Sequence, residues 1–288
     1  MDYAAWNSAL LERLSLYLNG HERDIDAASA RDLMRACRMN ETEAFSMLLA
    51  AMLGLETDLY PEHRQAFEAY FPYMVRLLDP ALYRADPYYA AVRIPSRKQG
   101  RWELCTQTYA PCEAFVCGDM QRMPDGRLIA PIGFFMEPFS YPCVKENGRE
   151  WMLITPNEIE TMRPAIDQAN GKVLAFGLGL GYFAFMAARK PEVASVTVVE
   201  RDANVIRLFK EHILPQFPQI QKLRIVQADA FDYMQNCAPA ERYDFIFTDL
   251  WHDAGDGLPL YRRMKALEPL SPASRFTYWI EPTLRAYL

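Results

Sequence analysis

The sequence predicts an α/β protein whose carboxyl-terminal part is a doubly wound parallel sheet. Three observations predict it. A short apolar run, Lys172 to Phe176, ends in glycines at 177, 179 and 181 and is followed by an Ala/Phe/Met-rich helical pattern. From 172 onward, strand-type runs alternate with helical segments, the pattern of a parallel sheet covered on both faces. Each of the next three strand-type runs leads into an acid, at Glu200, Asp229 and Asp249, on the side of such a sheet where ligands bind.

The elements follow in order. Residues 1–90 read as a helical amino-terminal region. Leu10, Leu11, Leu14 and Leu18 line one face of a first helix, closed by Asn19-Gly20. Ser29 to Arg38 makes a second helix. Asn40 caps a third, with Glu43 placed to complete a capping box. Glu62 to Leu78 makes a fourth. Residues 91–170 form a small β-rich region and a connecting helix. Its runs Trp102–Thr108, Glu113–Cys117 and Leu128–Phe135 are separated by the turn signals Pro124-Asp125-Gly126 and Asn147-Gly148. Thr155-Pro156-Asn157-Glu158 opens the connecting helix with a capping threonine, a proline suited to the first turn and a returning glutamate. Pro164 is expected to break or kink it. Residues 171–288 form the doubly wound domain. Its strands are Val173–Phe176, Ser195–Glu200, Leu223–Gln227, Tyr243–Asp249 and Phe276–Ile280, with helices near 182–190, 202–213, 230–236 and 258–267.

Composition bounds the function. The net charge is −6 and the hydrophobic content 51%, an ordinary globule without the basic surplus of a nucleic-acid binder. No early apolar run is long enough for a membrane span, and Asp2, Glu12 and Arg13 spoil a signal peptide, so a cytoplasmic location is expected, with no membrane partner. Cys37, Cys105, Cys112, Cys117, Cys143 and Cys237 include no Cys-x-x-Cys pair and have no histidine among the central four, so reduced thiols are expected and no metal.

The glycines carry the ligand argument. A dinucleotide fingerprint would put its third glycine at 182, where this chain has Tyr182, and that spacing favours an S-adenosylmethionine-type nucleoside site. Gly177, Leu178, Gly179 and Gly181 offer bare backbone to it. Glu200, with Arg201 beside it, lies about 20 residues on and can accept from a ribose diol, while Asp202 reads as a helix cap. Asp229 and Ala230 are expected at the adenine, where the aspartate can equally cap the next helix. The loop Asp249-Leu-Trp251-His252-Asp253 gathers acids and a histidine, so Asp249, His252 and Asp253 are the candidate catalytic residues, Asp249 being also a candidate to hold the cofactor's amino group or a substrate amine, with Trp251 as a substrate contact. Turn formation is the competing role for the loop acids.

With these residues in place, 172–267 resembles a class I S-adenosylmethionine-dependent methyltransferase domain, nearest to the spermidine-synthase-like branch. The branch resemblance rests on apolar Ala175 two residues before the first glycine, on Tyr243–Asp249 with its following acidic loop, on Leu260-Tyr261, and on the β-rich region upstream. It implies a Rossmann-like methyltransferase sheet, here truncated after strand five, S-adenosylmethionine as cofactor, and a substrate contact at Glu160 in Glu160-Thr-Met162. An uncovered sheet edge would suit a homodimer. Two positions depart from the branch: Leu180 replaces an acid of the glycine loop, and Trp251-His252-Asp253-Ala254 replaces an Asp-Pro pair. The leading expectation is therefore methyl transfer to a small molecule. Aminopropyl or aminocarboxypropyl transfer is the alternative, and a non-catalytic nucleoside-binding module a third.

Overall fold

Five parallel strands organise the larger part of the protein, seen in a computed structural model that describes residues 1–20 and 25–288. By internal contacts the chain divides into two units, one of residues 1–82 and 108–140, the other of 83–107 and 141–288. These units cut across the three segments expected from sequence, because the β-rich stretch is shared between them and does not form a region of its own.

In the first unit, helices Tyr3–Asn19, Ala27–Cys37, Glu41–Met52 and Pro61–Met74 surround an apolar core. Asn40 and Glu43 form the expected reciprocal cap. The fourth helix stops at Met74, short of Leu78, because Val75–Leu77 pairs in parallel with Ile132–Phe134. The run expected over Leu128–Phe135 is likewise two short strands, Leu128–Ile129 and Ile132–Phe134. Pro131, lacking an N–H, lies in the gap between them.

The second unit opens with a four-stranded sheet of β1 (Arg97–Gln99), β2 (Trp102–Tyr109), β3 (Phe139–Glu146) and β4 (Arg149–Leu153), in that order. The β3–β4 hairpin turns at Asn147-Gly148, both at positive φ. Helix α1 (Pro156–Gln168) follows, with the Thr155–Glu158 capping box in place. Pro164 does not end it. A proline removes only its own backbone donor, and the helix runs on to Gln168, whose side-chain amide donates to the Pro164 carbonyl at 2.8 Å.

The parallel sheet contains β5 (Gly171–Phe176), β6 (Val193–Glu200), β7 (Leu223–Gln227), β8 (Phe245–Thr248) and β9 (Arg275–Tyr278), in the order β7-β6-β5-β8-β9. Central β5 and β8 are largely buried, while the outer β7 and β9 consist mostly of partly or fully exposed residues, as central and edge strands should. Helices α2 (Tyr182–Ala188), α3 (Ala203–Leu208), α4 (Ala230–Asn236), α5 (Ala254–Lys265) and α6 (Glu281–Ala286) complete the unit. The chain leaves β5 to opposite sides at β6 and β8, which makes the β5–β8 boundary the topological switch point. Among the described residues no helix is long and apolar enough to cross a membrane.

The first unit's core can be tested at one ring. Phe45 is fully buried and stacks on Phe134 with centroids 3.9 Å apart. Phe45→Ala should destabilise that unit by about 3–5 kcal/mol, read from denaturant unfolding.

Candidate active site

The register of the parallel sheet sets the site. Phe176 of β5 lies opposite Val199 of β6 and Thr248 of β8, so Gly177, Glu200 and Asp249 follow in one row. Gln227 of β7 lies opposite Glu200, which brings Asp229 to the same end. Gly177 closes the row: its N–H donates to the Val199 carbonyl at 3.0 Å, and Asp249 N–H donates to the Phe176 carbonyl at 2.9 Å. At φ 99° a side chain on Gly177 would run into the Asp249 carbonyl. Gly179, at φ 48°, meets the Met152 thioether of β4, and Met152 Sδ accepts from Leu180 N–H at 3.2 Å.

These tips surround a cavity of about 310 Å³, within the range of small-molecule sites. Gly177, Leu178, Gly179, Glu200, Arg201, Asp229, Ala230, Asp249, Trp251 and His252 all line it. Three predicted residues do not. Gly181 caps α2 at φ 76° and faces Phe209 and Phe217, so its freedom shapes the turn rather than the cavity. Asp253 caps α5, accepting from Gly255 and Asp256 N–H groups. Glu160 lies outside the lining and pairs with Arg163 at 2.9 Å, whereas Glu158, two residues earlier on α1, does line the cavity.

The acids differ in how they are held. Glu200 accepts from Asp202 N–H at 2.8 Å and Leu178 N–H at 3.3 Å, yet burial still pushes its carboxyl above the usual range. Asp229 caps α4 through Oδ1, from Phe231 and Asp232 N–H groups, leaving Oδ2 for a ligand. Glu158 accepts from both Thr155 N–H and Oγ1–H, and burial raises its carboxyl too. Asp249 is the extreme. Its side chain has no hydrogen-bond partner among the described residues, and desolvation, then the neighbouring Glu158 carboxylate, push it up to about 8.

Sequence reasoning missed several walls of the cavity. Arg101, Trp102, Glu146, Glu150, Trp151 and Met152 come from the small sheet, and Trp279 follows β9. Strand alternation could have shown which of these share a face but not which face meets the glycine loop. Trp279 is fixed by its indole N–H, which donates to Thr161 Oγ1 at 2.8 Å. Arg101 bridges Glu146 and Asp202, each at 2.8 Å.

Asp249 gives a stability prediction. Its folded pKa lies above the unfolded value, so the native state holds the extra proton between about pH 4 and 8, and stability falls as pH rises through that window. Asp249→Asn removes the titration and should be more stable than wild type at pH 8.5 by about 1–3 kcal/mol, the gain shrinking toward pH 4, in thermal unfolding across pH.

Residues 158–265 match the family model described as spermine/spermidine synthase domain. A polyamine aminopropyltransferase from Korarchaeum cryptofilum (strain OPF8) is 34% identical over 96 residues, which is 32% of this chain and 29% of that protein. The match therefore spans less than a third of that relative's length. Similar solved structures include spermidine synthase from Thermotoga maritima, 16% identical over 59% of this chain and 52% of that one, with a TM-score of 0.33. Another is a caffeoyl-CoA O-methyltransferase from Staphylococcus aureus, 22% identical over 36% of this chain and 46% of that one, with a TM-score of 0.28. Overlaps this loose add nothing to the sheet order given above. The family model and the aminopropyltransferase overturn the expected methyl transfer and favour the aminopropyl alternative. That expectation leaned on Leu180 and on the missing Asp-Pro pair. Leu180 is fully buried and does not line the cavity, so its identity says little about the bound group. Over residues 158–265 the chain is similar to the spermine/spermidine synthase domain, a class I methyltransferase-like fold near the spermidine-synthase branch.

Proposed function

We propose that this chain is an aminopropyltransferase, moving the aminopropyl group of decarboxylated S-adenosylmethionine onto a primary amine. The observation that carries the reading is Asp249: a desolvated carboxyl at a strand tip, without a hydrogen-bond partner among the described residues and lining the same cavity as Glu158. Two acids in that position are mutually repulsive until a cation enters between them. An ammonium-ended donor tail supplies that cation, whereas the amino-acid tail of intact S-adenosylmethionine would also bring a carboxylate against them. The rest of the lining agrees, with seven carboxylic acids against two arginines. Four of the chain's five tryptophans also line the cavity, and aromatic faces attract cations.

The nucleoside part fits the other strand tips. Glu200 takes the ribose diol, Asp229 Oδ2 the adenine amine, and the bare backbone at Gly177 and Gly179 lets the ligand lie close to the loop. The acceptor amine attacks the carbon next to the sulfonium, and the C–S bond breaks as the C–N bond forms. The electron pair stays on sulfur, and methylthioadenosine leaves. Alignment of amine, carbon and sulfur in a water-poor cavity is the protein's main contribution.

Two outcomes test the reading. Purified protein with decarboxylated S-adenosylmethionine and 1,4-diaminobutane should release methylthioadenosine, detected by mass spectrometry; no release with any linear diamine or triamine would sink it. Glu200→Ala should weaken methylthioadenosine binding more than tenfold by calorimetry, because loss of a hydrogen bond to a charged group costs about 1.5–3 kcal/mol.

A further inference from the structure

The loop after β8 holds a second arrangement that the reading above does not use. His252 lines the cavity three residues after Asp249. Its Nδ1 lies 2.9 Å from Asp256 Oδ2. The other oxygen of Asp256 accepts from the backbone N–H groups of His252 and Asp253, both at 3.1 Å, so the carboxylate is fixed before it meets the ring. On its other side the imidazole stands perpendicular to the Trp151 indole, with centroids 4.0 Å apart at 89°. Trp151 is itself braced edge-on by Trp102 at 5.4 Å. Ring position and ring orientation are therefore both set.

A carboxylate on Nδ1 fixes the tautomer: the proton sits on Nδ1 and the lone pair on Nε2. Nε2 has no partner among the described residues. The imidazole is also about one-third exposed, which leaves a way out for a proton. The reaction needs such a group. An amine arrives as an ammonium and has no lone pair until it loses a proton. Asp249 and Glu158 are engaged with the donor's ammonium end, and a carboxylate paired with one cation is a poor acceptor for the proton of another. Trp251-His252-Asp253-Ala254 stands where the resemblance leads one to expect an Asp-Pro pair, so this device belongs to the chain's own loop sequence.

We infer that His252 is the general base of the transfer and Asp256 its positioning residue. The inference rests on the aminopropyl-transfer reading. Nε2 takes one proton from the acceptor ammonium, and the freed amine attacks the carbon beside the sulfonium. The C–S electron pair goes to sulfur, and the product carries its positive charge as a secondary ammonium. The imidazolium then returns its proton to solvent.

The test uses the full chain with decarboxylated S-adenosylmethionine and 1,4-diaminobutane. His252→Gln should lower kcat about a hundredfold, with the KM for the donor and the calorimetric affinity for methylthioadenosine within twofold of wild type. Added imidazole should restore part of the rate to His252→Ala. Asp256→Asn retains an oxygen for the two backbone N–H groups and so should keep the wild-type melting temperature while losing about tenfold in kcat. If wild type releases methylthioadenosine and His252→Gln turns over within twofold of it, the dyad has no catalytic role and the transfer reading stands. If His252→Gln loses rate only in proportion to lost donor affinity, the residue is structural and the inference fails. If wild type gives no methylthioadenosine, the reading and the dyad fall together.

Discussion

The register between three neighbouring strand tips is the constraint on which the site depends. Phe176 is paired with Val199 on one side and Thr248 on the other, and the hydrogen bonds from Gly177 and Asp249 lock the row one residue further. A slip of a single residue on β6 or β8 would turn Glu200 or Asp249 to the opposite face of the sheet. Only a bare backbone at Gly177 lets the Asp249 carbonyl come so near. The burial of β5 and β8 on both faces supplies the apolar contact that holds the row, and the cavity acids rest on that support.

The acids impose an electrostatic cost that the fold carries without a ligand. Asp249 and Glu158 are both desolvated, the Glu158 carboxylate raises the proton affinity of Asp249, and no cation among the described residues pairs with Asp249. Arg101 is near in the lining but spent on Glu146 and Asp202. A bound cation would recover the repulsion, so the energy withheld from stability is available for binding. The same logic separates the two ends of the cavity. Glu200 and Asp229 are held by backbone N–H groups and are ready to accept from neutral hydroxyl and amine donors, while Asp249 waits for charge.

The parallel sheet was legible in the sequence because its signals are local. A glycine loop at the end of an apolar run, an acid at each following strand end and alternating periodicity need no knowledge of distant contacts, and the five strands agree with the expected ones to within about two residues. Thr155 and Glu158 were equally plain as a helix start, yet Glu158 was read only as a cap. Its second place, in the lining of the cavity beside Asp249, depends on tertiary packing between elements far apart in sequence. Glu160 was chosen in its place by analogy and points instead toward Arg163 on its own helix. The small-sheet walls, Trp102, Trp151 and Met152, were illegible for the same reason: alternation gives two faces, and tertiary packing picks one. The methyl-transfer expectation fails on a related point: a residue type at a motif position reports on the ligand only where its side chain reaches the cavity, and Leu180 does not.

Leu180 shows why a departure from the branch pattern in the glycine loop does not argue against the proposed transfer. Its side chain is fully buried, and its carbonyl accepts from the Tyr88 hydroxyl at 2.6 Å, so this part of the loop is turned into the fold. An aspartate there would carry its charge into a fully buried position, at a cost of several kcal/mol unless paired. The Met152 thioether meanwhile takes the Leu180 N–H, the kind of donor that a loop acid would otherwise draw on. With that corner closed, an acid that lines the cavity has to come from another element. Glu158 supplies it from α1, anchored by its own capping box and opposed to Asp249. The proposed cation subsite thus draws its charge from two elements that converge on the cavity, and an acid at position 180 is not needed for it.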